Sequence, residues 1–393
     1  MNTPPSTPPF GHQRLGDFIL APGIDHLNHG AYGATPKVVL AACDRWREVM
    51  EADPSTFFRR DLPGHLRHAA ARVAGFLGGK GEDWVFVENA TAGINAIIAS
   101  LRLEAGDELV CLSQVYGAVG NALRYHAERA GARVVKVQVP VPFTDPEPLL
   151  ASLRAAVGKR TRLVVLDHVT SAGATVLPVA EMAAICRDVG SPVAIDGAHA
   201  LGMLPLDVPA LGVDYYVGNL HKWAFAARGA GALWCAPERQ KDLHPVSISH
   251  YLGQGFNAEF DYSGTRDNSA WLAAPAALDY LEGLGAEAMR AHNNALADAA
   301  GRMLSEAWGS EISAAAPYRA SMAAVRLPGS EGGDRTAARA LATRLTNEHG
   351  ITLGVLVMEG KLWIRVSAQV YNDLADYERI AGLGAKLLEP ARS

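Results

Sequence analysis

Residues 192–223 read PVAIDGAHALGMLPLDVPALGVDYYVGNLHKW. Two short apolar runs stand in this stretch, PVAID (192–196) and VDYYVG (213–218), and each gives way to small and polar residues. Working outward, the same alternation continues on both sides. Upstream come VFVE (85–88), ELVCL (108–112), ARVVKVQV (132–139) and RLVVLDH (162–168), and downstream GALWCA (231–236). Helical spacing fills the intervals 91–102, 119–130, 147–157 and 179–189. Short Val/Leu/Ile runs alternating with helices specify a mainly parallel sheet wrapped by helices, an α/β architecture.

Two further helices precede the sheet, 37–52 and 65–78, the second stopping at Gly78-Gly79. Beyond about residue 265 the character changes. An Ala/Leu-rich helical stretch covers 270–308, followed by a strand (322–328), a helix (335–348), the strand-like runs ITLGVLV (351–357) and KLWIRVS (361–367), and a helix over 373–388. The expected organisation is a flexible Pro-rich arm over 1–15, a large α/β domain over 16–264, and a smaller α+β domain over 265–393. The N-terminal helical part of the large domain is expected to pack near the small one. At 393 residues the chain exceeds the size at which one core usually splits.

Composition narrows the function. Charged residues make up 20% and the net charge is −5, with no basic stripe, so nucleic acid is not an expected partner. No run of eighteen apolar residues offers a membrane span. The N-terminal residues lack the pattern of a secretory leader, which makes the cytoplasm the expected compartment. Cys43, Cys111, Cys186 and Cys235 form no CxxC pair, so neither a metal site nor a disulfide framework is expected.

In an open α/β sheet, ligands gather beyond the C-terminal ends of the strands. Asp196 ends one strand, and Lys222 follows the next at a separation of 26 residues. That pair suits pyridoxal 5′-phosphate (PLP): the lysine forms a Schiff base, and the carboxylate keeps the pyridine nitrogen protonated. After VFVE, the run Asn89-Ala90-Thr91-Ala92-Gly93 opens a helix, whose N–H groups can bind phosphate or can simply be capped by Asn89 or Thr91. After ELVCL comes Tyr116, which can stack on a ring or lie at a boundary with its hydroxyl in water. In the run His168-Val169-Thr170-Ser171 the hydroxyls of Thr170 and Ser171 could reach a cofactor's phenolic oxygen, as could His199.

These residues match a known pattern. LNHGAYG (27–33), NATAGIN (89–95), HVTSAGATVLPV (168–179), DGAHALG (196–202) and GNLHKW (218–223) resemble the class V aminotransferase family of fold-type I PLP enzymes, in its isopenicillin N epimerase-like branch. The resemblance implies a large sheet domain with a smaller C-terminal domain, and a homodimer with shared sites. It implies that Lys222 is the Schiff-base lysine and proton shuttle, that Asp196 pairs with the pyridine nitrogen, and that Tyr116 stacks on the ring. Thr91 with the Ala90, Ala92 and Gly93 backbone would bind phosphate, helped by Asn219 or His221, while Thr265 would reach it from the other subunit. Ser171 and His199 would flank the phenolic oxygen, and Arg365 would hold the substrate α-carboxylate. Asn28, His29, Tyr32 and Arg59 fall in family-like segments expected to touch the substrate. Where many relatives carry proline after HVTS, this chain has Ala172-Gly173, which predicts a looser loop. No cysteine follows Cys235, which argues against a persulfide route.

The expected activity is on an amino acid, by epimerisation or by β-elimination as a C–S lyase. Transamination with a keto acid is the alternative. A PLP-fold binding module without catalysis would have lost Lys222 or Asp196, and this chain keeps both.

Overall fold

The computed structural model describes residues 10–384 and Leu387. Most of the expected N-terminal arm and the last residues of the final expected helix lie outside the described residues. A two-residue strand, β1 (Asp25–His26), comes first. Seven strands then build the central sheet: β2 (Trp84–Val87), β3 (Glu108–Leu112), β4 (Arg133–Val137), β5 (Thr161–Asp167), β6 (Val193–Asp196), β7 (Tyr215–Asn219) and β8 (Gly231–Cys235). Their order is β2-β8-β7-β6-β5-β3-β4. β8 runs antiparallel to both β7 and β2, and the other pairs are parallel.

Alternation along the strands divides the core. Val164, Leu166, Val193 and Ile195 join the cluster on one face, while Leu163, Val165 and Ala194 join the cluster on the other. A strand's successive side chains point to opposite faces, so a run apolar at every position can sit only between two covering layers. The helix Ala90–Ala99 lies close on β7: a Cβ at Gly93 would come within 2.4 Å of Val217.

The C-terminal third forms a three-stranded antiparallel sheet in the order β11-β12-β9, from β9 (Met322–Arg326), β11 (Gly354–Met358) and β12 (Lys361–Ser367). Helices Ala286–Trp308 and Arg335–His349 pack against it. Two expectations are corrected here. The helical stretch 270–308 is three helices, Ser269–Leu272, Ala274–Gly283 and Ala286–Trp308. Pro275 starts the second in its first turn, and Gly285, at φ 77°, separates it from the third. The expected strand 351–357 is two: β10 (Ile351–Thr352) pairs in parallel with β1, and only β11 enters the small sheet.

Candidate active site

The chain passes from β3 outward to β4 and returns on the other side of β3 as β5. At such a reversal the loops beyond the strand ends part and leave a crevice. A cavity of about 450 Å³ occupies it. Its wall includes Asn89, Thr91, Tyr116, Ser171, Asp196 and Lys222, drawn from the ends of five strands.

Lys222 sits in the turn that joins β7 to β8. The turn is pinned by Ala226 N–H donating to Leu220 O at 3.1 Å and His221 N–H donating to Ala230 O at 3.1 Å. Phe225, fully buried, takes a left-handed φ of 62°, a costly conformation for a bulky residue. Packing against His29, Phe18 and Tyr280 holds it there. The Lys222 amine lies 3.4 Å from His199 Nε2. Burial, helped by the nearby Arg365 charge and opposed by Asp196, pushes its pKa down to about 7. Burial likewise drives the His199 imidazole well below its ordinary value, so it is neutral.

Asp196 Oδ1 accepts the Ala198 N–H at 3.0 Å, and burial raises its pKa against that bond and the Lys222 charge. Asp167 stands beside it, its residue paired in register with Asp196 across β5 and β6. Asp167 is buried, its Oδ2 has no partner, and burial with the Asp196 charge raises its pKa strongly. Two adjacent buried carboxyls suit a cationic ring nitrogen, which would relieve both.

The phosphate end differs in detail from the sequence reading. Of the four N–H groups at the start of helix Ala90–Ala99, three are already used. Ala90 N–H donates to Asn219 Oδ1 at 2.9 Å, Ala92 N–H to Asn89 Oδ1 at 2.9 Å, and Gly93 N–H to Asn89 O at 3.1 Å. Asn89 is therefore the cap, and Thr91 keeps its N–H and hydroxyl for a ligand. His221 Nδ1 donates to Ala230 O at 3.1 Å, and the residue lines the cavity with its pKa lowered to about 4 by burial. Thr265 lies outside this cavity, with its hydroxyl 3.1 Å from Tyr262 Oη.

Arg365, on β12, reaches from the small sheet and is 3% exposed. Nη1 donates to Ser171 O at 2.5 Å and Nη2 to Asn28 Oδ1 at 3.2 Å, while Nε has no partner. Among the described residues no carboxylate pairs with it, and burial lowers its pKa to about 10. A buried guanidinium held by neutral groups suits an anion. Ser171 thus steadies Arg365 as well as lining the cavity.

The remaining expected residues separate. Tyr116 and Tyr32 line the cavity, both exposed. His29 lies beneath it, fully buried, with Nε2 3.0 Å from Lys222 O and Nδ1 3.0 Å from Tyr371 Oη. It supports the lysine turn from behind. Thr170 is fully buried and accepts the Thr175 N–H at 3.1 Å. His168 is buried against Tyr216 Oη at 2.8 Å. Arg59 is exposed on the turn Phe57–Asp61 and is not in the cavity wall. The loop after β5, expected to be loose, is closed: Thr170 N–H donates to Thr175 O at 2.9 Å, and Gly173 is packed against Gln114. Sequence reasoning passed over Asp167 and Arg228, which line the cavity. Asp167 could have been found, because it ends its strand as Asp196 does.

Comparison with known proteins agrees with this geometry. The chain matches the family Aminotransferase class-V over residues 29–379. It is 33% identical to a putative L-cysteine desulfhydrase 1 of Oryza sativa subsp. japonica, covering 93% of this chain and 83% of the relative. It is 31% identical to the isopenicillin N epimerase of Streptomyces clavuligerus, covering 93% and 95%. Among solved structures, C-DES with glycine covalently linked to its PLP cofactor superposes with a TM-score of 0.81 at 22% identity, covering 95% and 98%. Matched over residues 29–379, most of its length, the chain belongs to the class V aminotransferase family.

Proposed function

We propose that this chain, a PLP-dependent enzyme, cleaves the carbon–sulfur bond of an L-amino acid by β-elimination. The observation that carries the reading is a pair at one site: an amine held near neutrality at Lys222 in the cavity wall, and a buried guanidinium at Arg365 that donates to Ser171 of the same wall and has no carboxylate partner among the described residues. Arg365 binds the substrate α-carboxylate, with Asn28 and Ser171 fixing its fork. Thr91 takes the cofactor phosphate, and Asp196 faces the ring nitrogen. Bound there, PLP supplies the electron sink that lets the α-proton leave as a proton. Lys222, once free, would receive that proton, because burial lowers its pKa to about 7 and leaves about half of its amine unprotonated at that pH. No protein thiolate is needed: the four cysteines are buried, none lines the cavity, and burial raises each thiol pKa.

Desulfhydrases and epimerases both stand among the relatives. Elimination is favoured because the Lys222 amine and the neutral His199 imidazole lie together, 3.4 Å apart, whereas epimerisation needs a proton returned to the opposite face. Tyr32 and Tyr116 also line the cavity, and a hydroxyl that returns the proton from the side away from Lys222 would make epimerisation the second reading. Product analysis with L-cysteine and its S-alkyl derivatives decides between them. Thiol, pyruvate and ammonia in equal amounts mark the lyase. Recovery of D-amino acid carrying solvent deuterium, with no thiol, assigns the epimerase instead, and a keto acid of unchanged carbon skeleton assigns transamination.

We also infer a homodimer. It would give Thr265 a site to serve on the partner subunit, and it would cover Val246, Ile248 and Leu252, which are 57–59% exposed on the segment before it.

A further inference from the structure

A second cavity, of about 620 Å³, adjoins the first and shares Tyr116 and Ser171 with it. It opens between the start of helix Gly117–Ala130 and the small sheet. Three features of its wall have no part in holding the cofactor. Gln114 presents a side-chain amide whose Oε1 and Nε2 are both buried and both without a partner. Arg335 and Arg339, one turn apart on helix Arg335–His349, both reach this wall. Neither makes an ion pair or hydrogen bond among the described residues. Arg335 extends across the opening, and its Nη2 would lie 3.6 Å from a Cβ on Gly117, the neighbour of Tyr116. Glu359 is the one acid in the described wall, so the charged side chains sum to plus one.

Buried amides are ordinarily bonded, and an unpaired one at a cavity wall points to a polar partner that enters from the cavity. Two unneutralised guanidinium groups one turn apart select an anion, and their planar forks suit a carboxylate. Tyr116 and Ser171 belong to both walls, and Ser171 also accepts from Arg365, so one molecule can extend from beside Arg365 into this space. We infer that the second cavity is a subsite for a carboxylate at the far end of the substrate side chain, with Gln114 bonding the polar atoms between. The substrate class is an S-substituted L-cysteine whose sulfur substituent ends in a carboxylate.

This inference rests on the lyase reading for its leaving group. The α-proton is removed and the Cβ–S bond breaks with its electron pair on sulfur. The sulfur takes a proton and leaves as a carboxyalkyl thiol. The remaining aminoacrylate takes up one water and yields pyruvate and ammonium. The negative thiol fragment departs through the cationic cavity.

The test compares S-(2-carboxyethyl)-L-cysteine with its near-isosteric amide, S-(2-carbamoylethyl)-L-cysteine, on the PLP-loaded enzyme. The wild type should favour the acid by about tenfold or more in kcat/KM, the scale of one charged hydrogen bond. The double variant Arg335→Ala/Arg339→Ala should bring that ratio close to one. Arg339→Glu should move preference toward S-(2-aminoethyl)-L-cysteine. A wild-type ratio of one, or a ratio unchanged in the double variant, overturns the subsite. Titration of the cofactor absorbance with the same two ligands reads binding without turnover. Tighter binding of the acid with no cleavage of either compound would sink the lyase reading and leave the subsite standing.

Discussion

At the scale of single residues, Lys222 carries a pH signature. Its amine in the cofactor-free protein ionises near pH 7 because burial disfavours the cation. A free lysine does so near about 10.4. Only the unprotonated amine attacks an aldehyde, so the rate of PLP capture by the apoenzyme should rise through pH 7 and level off by about pH 8. Stopped-flow absorbance measures it, and a rise centred near pH 10 would contradict the assignment. Linkage gives the matching stability effect. Between about pH 7 and about 10.4 the unfolded lysine holds a proton that the folded one has lost, so stability rises with pH across that window. Apo wild type should gain on apo Lys222→Met over the same range in urea melts. Arg365 tests geometry instead of charge. Arg365→Lys keeps the cation but loses the fork held by Ser171 and Asn28. It should raise KM about tenfold to a hundredfold with the cofactor band retained. Lys222, Asp196 and Arg365 were legible in the sequence because strand ends and family motifs mark them. The roles of Ser171 and His29 were not, because each acts through a bond to a residue nearly two hundred positions away, Arg365 and Lys222 respectively.

At the scale of elements, the apolar runs disclosed all seven strands of the main sheet; six are buried on nearly every residue and so have little choice of residue, and the edge strand β4 was read from its Val repeats. The small sheet was read less well. ITLGVLV is apolar apart from Thr352, and nothing in it says that the first two residues belong to one sheet and the last four to another. The loop after β5 was misjudged for a related reason. Its closure depends on Gly173 facing Gln114 Oε1, a contact between distant segments. Gly173→Ala would place a Cβ 2.7 Å from that oxygen, so the loop must shift and carry Ser171 with it. The variant should keep its cofactor spectrum while KM rises several-fold, an effect near about 1 kcal/mol. Unchanged kinetics would mean that the Gln114 side chain yields instead.

For the whole molecule, the dimer is the first prediction. Sedimentation should give twice the 41.7 kDa chain mass, and replacing Ile248 and Leu252 by glutamate should shift it toward one. The pairing of β1 with β10 has a consequence for how the chain is made. Asp25 and His26 leave the ribosome early, and their partners Ile351 and Thr352 emerge more than three hundred residues later. At roughly 5–20 residues per second, the N-terminal segment must wait about fifteen seconds to a minute before its register can form. The Arg365 strand is also among the last to emerge, so the bond from Arg365 to Asn28 and the N-terminal latch are completed together. A nascent chain stalled before residue 351 should therefore leave residues 10–36 open to protease while the central sheet is already protected.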